Sequence, residues 1–67
     1  MEEFTKRLKE LRLEKGLSQI QLAKETGLGK SAIGLWELGQ CIPNALAIIT
    51  LAKYFGVTTD YLLGVTD

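Results

Sequence analysis

Five glycines divide this short chain into segments, and this division limits the available folds more than any other feature of the sequence. Gly16, Gly27, Gly39, Gly56 and Gly64 each follow a stretch in which apolar residues recur at intervals of three or four. Glycine in that place is typical of a helix C-terminus, because it readily adopts the left-handed conformation that ends many helices. No segment alternates with period two for long enough to form a strand. The pattern therefore predicts an all-α chain of five helices.

The residues between the glycines predict the first two helices in some detail. The first runs from about Glu3 to Lys15, and the second begins after Ser18, which forms a capping box with Gln21. The second helix ends at Gly27. The apolar stripe of the first helix consists of Phe4, Leu8 and Leu11.

A short turn follows the second helix. Gly29 is the expected N-cap of a third helix from Lys30 to about Leu38. Two short helices joined by a three-residue turn that contains glycine form a helix-turn-helix, here at about residues 18–38. The chain as a whole, residues 1–67, is expected to be a single domain around it.

Polar residues that favour helix N-termini predict the last two helices. Asn44 is a suitable cap for a fourth helix that reaches Phe55, whose broad apolar surface is expected of a central helix. Thr58 or Thr59 caps a short fifth helix that ends near Leu63.

Composition excludes several function classes. The chain has 67 residues, one cysteine (Cys41) and no histidine, so an internal disulfide, a zinc site and a histidine-based triad are not expected. We therefore expect no enzyme activity, no metal and no cofactor. The longest uncharged run, from Leu38 to Ala52, is too short and too broken to span a bilayer, and Glu2 and Glu3 do not suit a secretory signal. A cytoplasmic protein is expected, without membrane association.

Two patterns resemble a nucleotide-binding motif and an acid-base pair, but neither has the surroundings that such a site needs. Residues 27–32 match the dinucleotide-binding pattern G-x-G-x-x-A, but that motif needs a preceding strand, whereas a capped helix precedes it here. Glu10 and Glu14 lie on an exposed helix face without a shielding pocket, so they indicate surface charge rather than acid-base chemistry.

The charges are balanced overall. Eight Lys and Arg residues offset eight Asp and Glu residues, so binding to an anionic partner depends on local arrangement. Residues 1–30 carry seven basic and five acidic side chains, which favours that half as the anion-facing side. Glu37 lies near a helix C-terminus, where a carboxylate opposes the helix dipole, so either a cationic partner or full solvation is expected for it.

Many residues, in their order and spacing, resemble the phage-repressor type of helix-turn-helix family, the Cro/CI-like or XRE-like DNA-binding domains. The resemblance covers roughly residues 4–64. It implies a lambda-repressor-like fold, a compact five-helix orthogonal bundle. The residues that carry it are Leu11-Arg12, Gly16-Leu17-Ser18-Gln19, Leu22-Ala23, Gly27, Ile33, Trp36-Glu37, Gly39, Pro43, Leu51-Ala52-Lys53, Gly56-Val57 and Asp60-Tyr61-Leu62-Leu63-Gly64.

The resemblance implies a transcriptional regulator, a repressor of phage or XRE type, that binds an operator in double-stranded DNA as a homodimer with helix three in the major groove. Gln19 would contact phosphate, and an ion pair would join Arg12 to Glu37. The implied DNA-binding positions are Gln19, Gly29, Lys30, Ser31, Gly34, Leu35, Leu38 and Gln40. The implied dimer interface contains Val57, Tyr61 and Val65.

The third helix departs from the family pattern on its outward face. With Ile33 pointing inward, a rotation of about 100° per residue places four uncharged residues outward. Direct hydrogen bonding to bases is therefore expected to be limited, with a contribution from DNA shape. These four residues are Ser31, Gly34, Leu35 and Leu38.

An alternative function is a protein-interaction module derived from a helix-turn-helix, such as an antitoxin-like partner or an anti-repressor, with weak or no DNA binding. Exposed apolar patches often mark interaction sites. The apolar residues that favour this alternative stand where relatives are usually polar, and they are Leu13, Ile20, Leu35, Leu38, Ile42 and Leu46.

Overall fold

Helices make up most of the backbone in the computed structural model, which describes all 67 residues. The five helices are α1 (Glu2–Glu14), α2 (Gln19–Thr26), α3 (Lys30–Glu37), α4 (Ala45–Phe55) and α5 (Thr59–Leu63). No residue lies in a strand, so the predicted all-α, five-helix fold is confirmed. The main differences are at helix ends: α1 begins and ends one residue earlier than predicted, and Leu38 is the C-cap of α3 rather than its last residue.

Polar caps begin the helices where the sequence predicts them. The Ser18 Oγ accepts a hydrogen bond from the Gln21 backbone N–H at 3.1 Å, and the Gln21 Oε1 accepts one from the Ser18 N–H at 2.7 Å. This reciprocal pair is the predicted capping box. The Asn44 Oδ1 accepts from the backbone N–H three residues later at 2.8 Å. For α5, the side chain that caps the helix belongs to Thr58, not Thr59.

One apolar core joins all five helices. α2 packs against α3 and α4, α1 packs against α3 and α5, and α4 packs against α5. The rings of Phe4 and Trp36 meet edge-on, with centroids 6.5 Å apart. In the predicted stripe of α1, Leu11 is only half-buried, whereas Arg12 is buried. The core consists of Phe4, Leu8, Leu22, Ala23, Ile33, Trp36, Ala47, Ile48, Leu51, Ala52 and Leu62.

The C-terminal segment is held against α1 by Arg7. Its guanidinium donates hydrogen bonds to the carbonyls of Tyr61 and Thr66 and lies 4.3 Å from the centroid of the Tyr61 ring. Gly64 has a φ of +82° and lies so close to Glu3 that any Cβ at position 64 would overlap the Cβ of Glu3. Both the backbone conformation and the close approach therefore require glycine.

None of the helices is both long enough and apolar enough to cross a membrane.

Candidate nucleic-acid interface

The α2–α3 pair is attached to the core through the inner faces of both helices. Leu22 of α2 and Ile33 of α3 are fully buried. Gly27 ends α2 with a φ of +75°. In the turn, the Thr26 hydroxyl donates to the Leu22 carbonyl at 2.8 Å and accepts from the Leu28 backbone N–H at 3.4 Å. These contacts fix the direction in which α3 leaves the turn.

A buried ion pair joins α1 to the C-terminal end of α3. Arg12 donates from Nε to Oε2 of Glu37 at 2.7 Å and from Nη2 to Oε1 at 2.9 Å. The Arg12 Nη1 donates to the Leu17 carbonyl at 2.8 Å. The hydrogen bond to Glu37 raises the pKa of Arg12, although burial opposes this, so the guanidinium remains charged. The structure thus brings together the two residues that the family resemblance pairs, and Arg12 supplies the cation expected beside Glu37.

Gln19 also reaches Glu37. Its Nε2 donates to the Oε1 of Glu37 at 3.2 Å, so the same carboxylate oxygen accepts from Arg12 and from Gln19. The amide oxygen of Gln19 lies over Gly34, where a Cβ would stand 3.2 Å from it. No local sequence pattern predicts this contact, because Gln19 begins one helix and Glu37 lies 18 positions later, at the end of the next helix.

The beginning of α3 is open to solvent. Gly29 is the N-cap, and no side chain caps the helix. Gly29, Lys30 and Ser31 are all exposed. The first backbone N–H groups of α3 therefore have no side-chain acceptor, and such a helix N-terminus attracts anions. Glu37, the other charged residue of α3, is paired with Arg12. Lys30 is therefore the only charged residue of this helix that is available to a ligand.

The outward face of α3 differs from the predicted one. Leu35 and Gly34 are half-buried rather than fully exposed, and the Gln19 side chain lies against Gly34. Leu38 is 71% exposed, and Gln40 is exposed in the loop that follows. Of the positions that the resemblance assigns to DNA, the ones that project furthest are therefore at the two ends of α3.

The residues assigned to a dimer interface have different surroundings. Val57 is half-buried and packs against the core, and the half-buried ring of Tyr61 lies under the guanidinium of Arg7. Val65 is 70% exposed. Only Val65 of the three presents most of its apolar surface to solvent.

Comparison with known proteins identifies the domain type. The family model described as "Helix-turn-helix" matches residues 8–62. Among curated relatives, the HTH-type transcriptional activator BcrR of Enterococcus faecalis is 41% identical over 61 residues, 91% of this chain and 30% of that protein. The SPbeta prophage-derived uncharacterized HTH-type transcriptional regulator YonR of Bacillus subtilis (strain 168) is 37% identical over 60 residues, 90% of this chain and 56% of that protein. The chain thus spans less than two thirds of the length of these relatives.

A solved structure resembles this chain over nearly its whole length. The restriction-modification controller protein C.AhdI from Aeromonas hydrophila is 40% identical in sequence, with a TM-score of 0.81. The match covers 90% of this chain and 91% of that one. The helix order, the position of the α2–α3 pair and these matches lead to one assignment. The chain belongs to the helix-turn-helix family of the phage-repressor, XRE-like type.

Proposed function

We propose that this chain is a sequence-specific DNA-binding transcriptional regulator of the phage-repressor type that inserts α3 into the major groove of operator DNA. The observation that carries the proposal is the beginning of α3, which has no side-chain cap and is exposed to solvent. Lys30 and Ser31 are exposed there, and Gln19 is the first residue of α2. Two helix N-termini on one pair of helices suit the phosphates that flank a groove.

Sequence recognition in this proposal relies on few direct contacts. Lys30 either donates to guanine or neutralises a phosphate, and Ser31 bonds to base edges. Leu35 contacts a thymine methyl. Leu38 and Gln40 contact the DNA backbone. Because α3 offers so few hydrogen-bonding groups, DNA shape and deformability supply part of the specificity.

The proposal includes a homodimer on a pseudo-palindromic operator, with Val57, Tyr61 and Val65 near the interface. It places the protein in the cytoplasm and involves no catalytic step, metal or cofactor. Residues 18–38 are the DNA-binding helix-turn-helix within a domain that spans residues 1–67. One similar protein is named as a transcriptional activator, so activation also occurs among similar proteins.

Selection from a random duplex library tests this proposal. We expect enrichment of a sequence with two related half-sites whose centres are about one helical turn apart. The binding constant of the enriched duplex should fall linearly with salt on a log-log scale, because bound phosphates release counterions. No enrichment, together with no duplex binding at low salt, would show that the proposal is wrong.

The exposed apolar residues favour a second candidate function, docking to a protein. Leu38 is 71%, Ile42 78% and Leu46 69% exposed. Leu38 and Ile42 also line a groove of about 420 Å³ beside the start of α1. Exposed apolar surface of this kind is typical of interaction sites. If the chain binds duplex DNA, the first function is supported. If it forms a protein complex and binds no duplex, the second function is supported.

A further inference from the structure

Glu37 fixes the orientation of the Gln19 amide. An ionised carboxylate only accepts hydrogen bonds, so the Gln19 group that faces it is the NH2 group and not the carbonyl oxygen. The Nε2 stands 3.2 Å from the Oε1 of Glu37. An amide NH2 has two hydrogens, and Glu37 accepts one of them. The second N–H of Gln19 remains for an acceptor outside the protein.

Glu37 itself cannot move freely. Both of its carboxylate oxygens accept from Arg12, and its side chain is only 5% exposed. A side chain immobilised before its ligand arrives loses less conformational entropy on binding. The ion pair therefore gives Gln19 a fixed anchor in the free protein.

Gly34 leaves the space that the Gln19 amide occupies. A Cβ at position 34 would stand 3.2 Å from the Gln19 Oε1, closer than ordinary van der Waals contact. Glycine inside a helix is unfavourable relative to alanine. At this position glycine leaves room for the close approach of the Gln19 amide to α3.

We infer that Glu37 is a positioning residue for DNA binding: it holds the Gln19 amide across Gly34 so that the free N–H of Gln19 donates to one backbone phosphate. Glu37 touches no DNA in this arrangement. The inference rests on the proposed function and specifies how one phosphate contact is made.

The first test measures how much duplex affinity is lost when the charge of a single phosphate is removed; this loss is called the methylphosphonate penalty. The enriched duplex is prepared with a neutral methylphosphonate at one backbone position at a time. In the wild-type chain one position near each α2 should lower affinity about tenfold, as expected for a hydrogen bond to a charged group. That penalty should be absent in Gln19→Ala and strongly reduced in Glu37→Gln, while penalties at other positions persist. Because each variant is compared with itself on two duplexes, a general loss of folded protein cancels.

A second pair of variants leaves the ion pair intact. Gly34→Ala should displace the Gln19 amide, weaken duplex binding severalfold and reduce the same methylphosphonate penalty, while helix stability is maintained or increased. In a Gln19→Ala background Gly34→Ala should cause no further loss. Gly29→Ala is the matched control, because its Cβ would meet only the Cβ of Ala32 at 3.8 Å. Its effect should be the same in both backgrounds.

The outcomes separate the inference from the proposed function. If no duplex binds, the proposed function fails and the inference fails with it. If a duplex binds but Glu37→Gln keeps the full penalty at the Gln19-dependent phosphate, the inference alone is wrong. An equal effect of Gly34→Ala with and without Gln19 would also overturn it, because the added methyl would then act directly on DNA.

Discussion

Arg12 and Glu37 form two parallel hydrogen bonds, of 2.7 and 2.9 Å, that join the last turn of α1 to the last residue of α3. Their side chains are 9% and 5% exposed, and the Leu17 carbonyl accepts a further N–H of the guanidinium. A bidentate arginine–carboxylate pair holds both distance and orientation. The pair thus sets the position of α3 relative to α1 and anchors Gln19 as well.

The first prediction concerns the stability of this pair. Arg12→Ala and Glu37→Ala should each lower the free energy of unfolding by about 3 kcal/mol, because each leaves a buried charge without its partner. The double variant should lose clearly less than the sum of the two. Urea denaturation of the four proteins measures the coupling. Additive losses would contradict a direct interaction.

Local sequence signals predicted the helices well because they act over a few residues. The Ser18–Gln21 capping box and the Asn44 cap each depend on groups three residues apart, and both are present. Gly27 likewise ends α2 through its own left-handed conformation. Such features are visible in a sequence before any tertiary contact is known.

Contacts between distant segments were less accessible to sequence reasoning. The hydrogen bond from Arg7 to the Tyr61 carbonyl spans 54 positions, and the bond from Gln19 to Glu37 spans 18. Helical periodicity places Leu35 outward because it describes one helix alone, whereas this residue is half-buried in the folded chain. The family resemblance implies the Arg12–Glu37 pair, whereas the helix dipole alone predicts a cationic partner for Glu37 without identifying it.

The second prediction concerns the C-terminal segment. Gly64→Ala should destabilise the fold more than Gly39→Ala, although both glycines have a positive φ, of 82° and 75°. A Cβ at position 39 would meet nothing within 4 Å, whereas one at position 64 would overlap Glu3. Gly39→Ala should therefore cost only the backbone strain of about 1 kcal/mol. Thermal denaturation of both variants tests the difference, and equal losses would mean that Glu3 moves aside freely.

The third prediction concerns Lys30 on the enriched duplex. If Lys30 neutralises a phosphate, Lys30→Ala should lower the salt slope by about one unit and weaken binding to all sequences. If it reads guanine, the slope changes little and specificity relaxes at one base pair. Lys53→Ala is the control, because Lys53 is exposed at the end of α4 and lies outside the helix-turn-helix. Equal effects of the two changes would show that Lys30 does not contact the DNA.

The fourth prediction concerns assembly. Val65→Asp should weaken a dimer formed on operator DNA, because it places a charge on the most exposed of the three residues assigned to the interface. Leu13→Asp changes a residue that is 57% exposed on α1 and serves as the control. Sedimentation of each protein with a two-half-site duplex gives the stoichiometry. A wild-type chain that stays monomeric both free and on this duplex would overturn the dimer.

The last prediction distinguishes DNA binding from protein docking through Leu38. This residue is 71% exposed, so Leu38→Asn should hardly change the free energy of unfolding, whereas the half-buried Leu35 does not allow so clean a substitution. If α3 enters the major groove, the new amide adds hydrogen-bonding groups and duplex affinity should be retained or increased. If Leu38 is an anchor for a protein partner, affinity for that partner should fall about tenfold or more. Ile49→Asn, at a position that is 43% exposed on α4, should leave both affinities unchanged. A duplex titration and a pull-down with the same variants decide between the two functions. Retained duplex affinity supports the regulator. Loss of partner affinity, together with no duplex binding, supports the docking module.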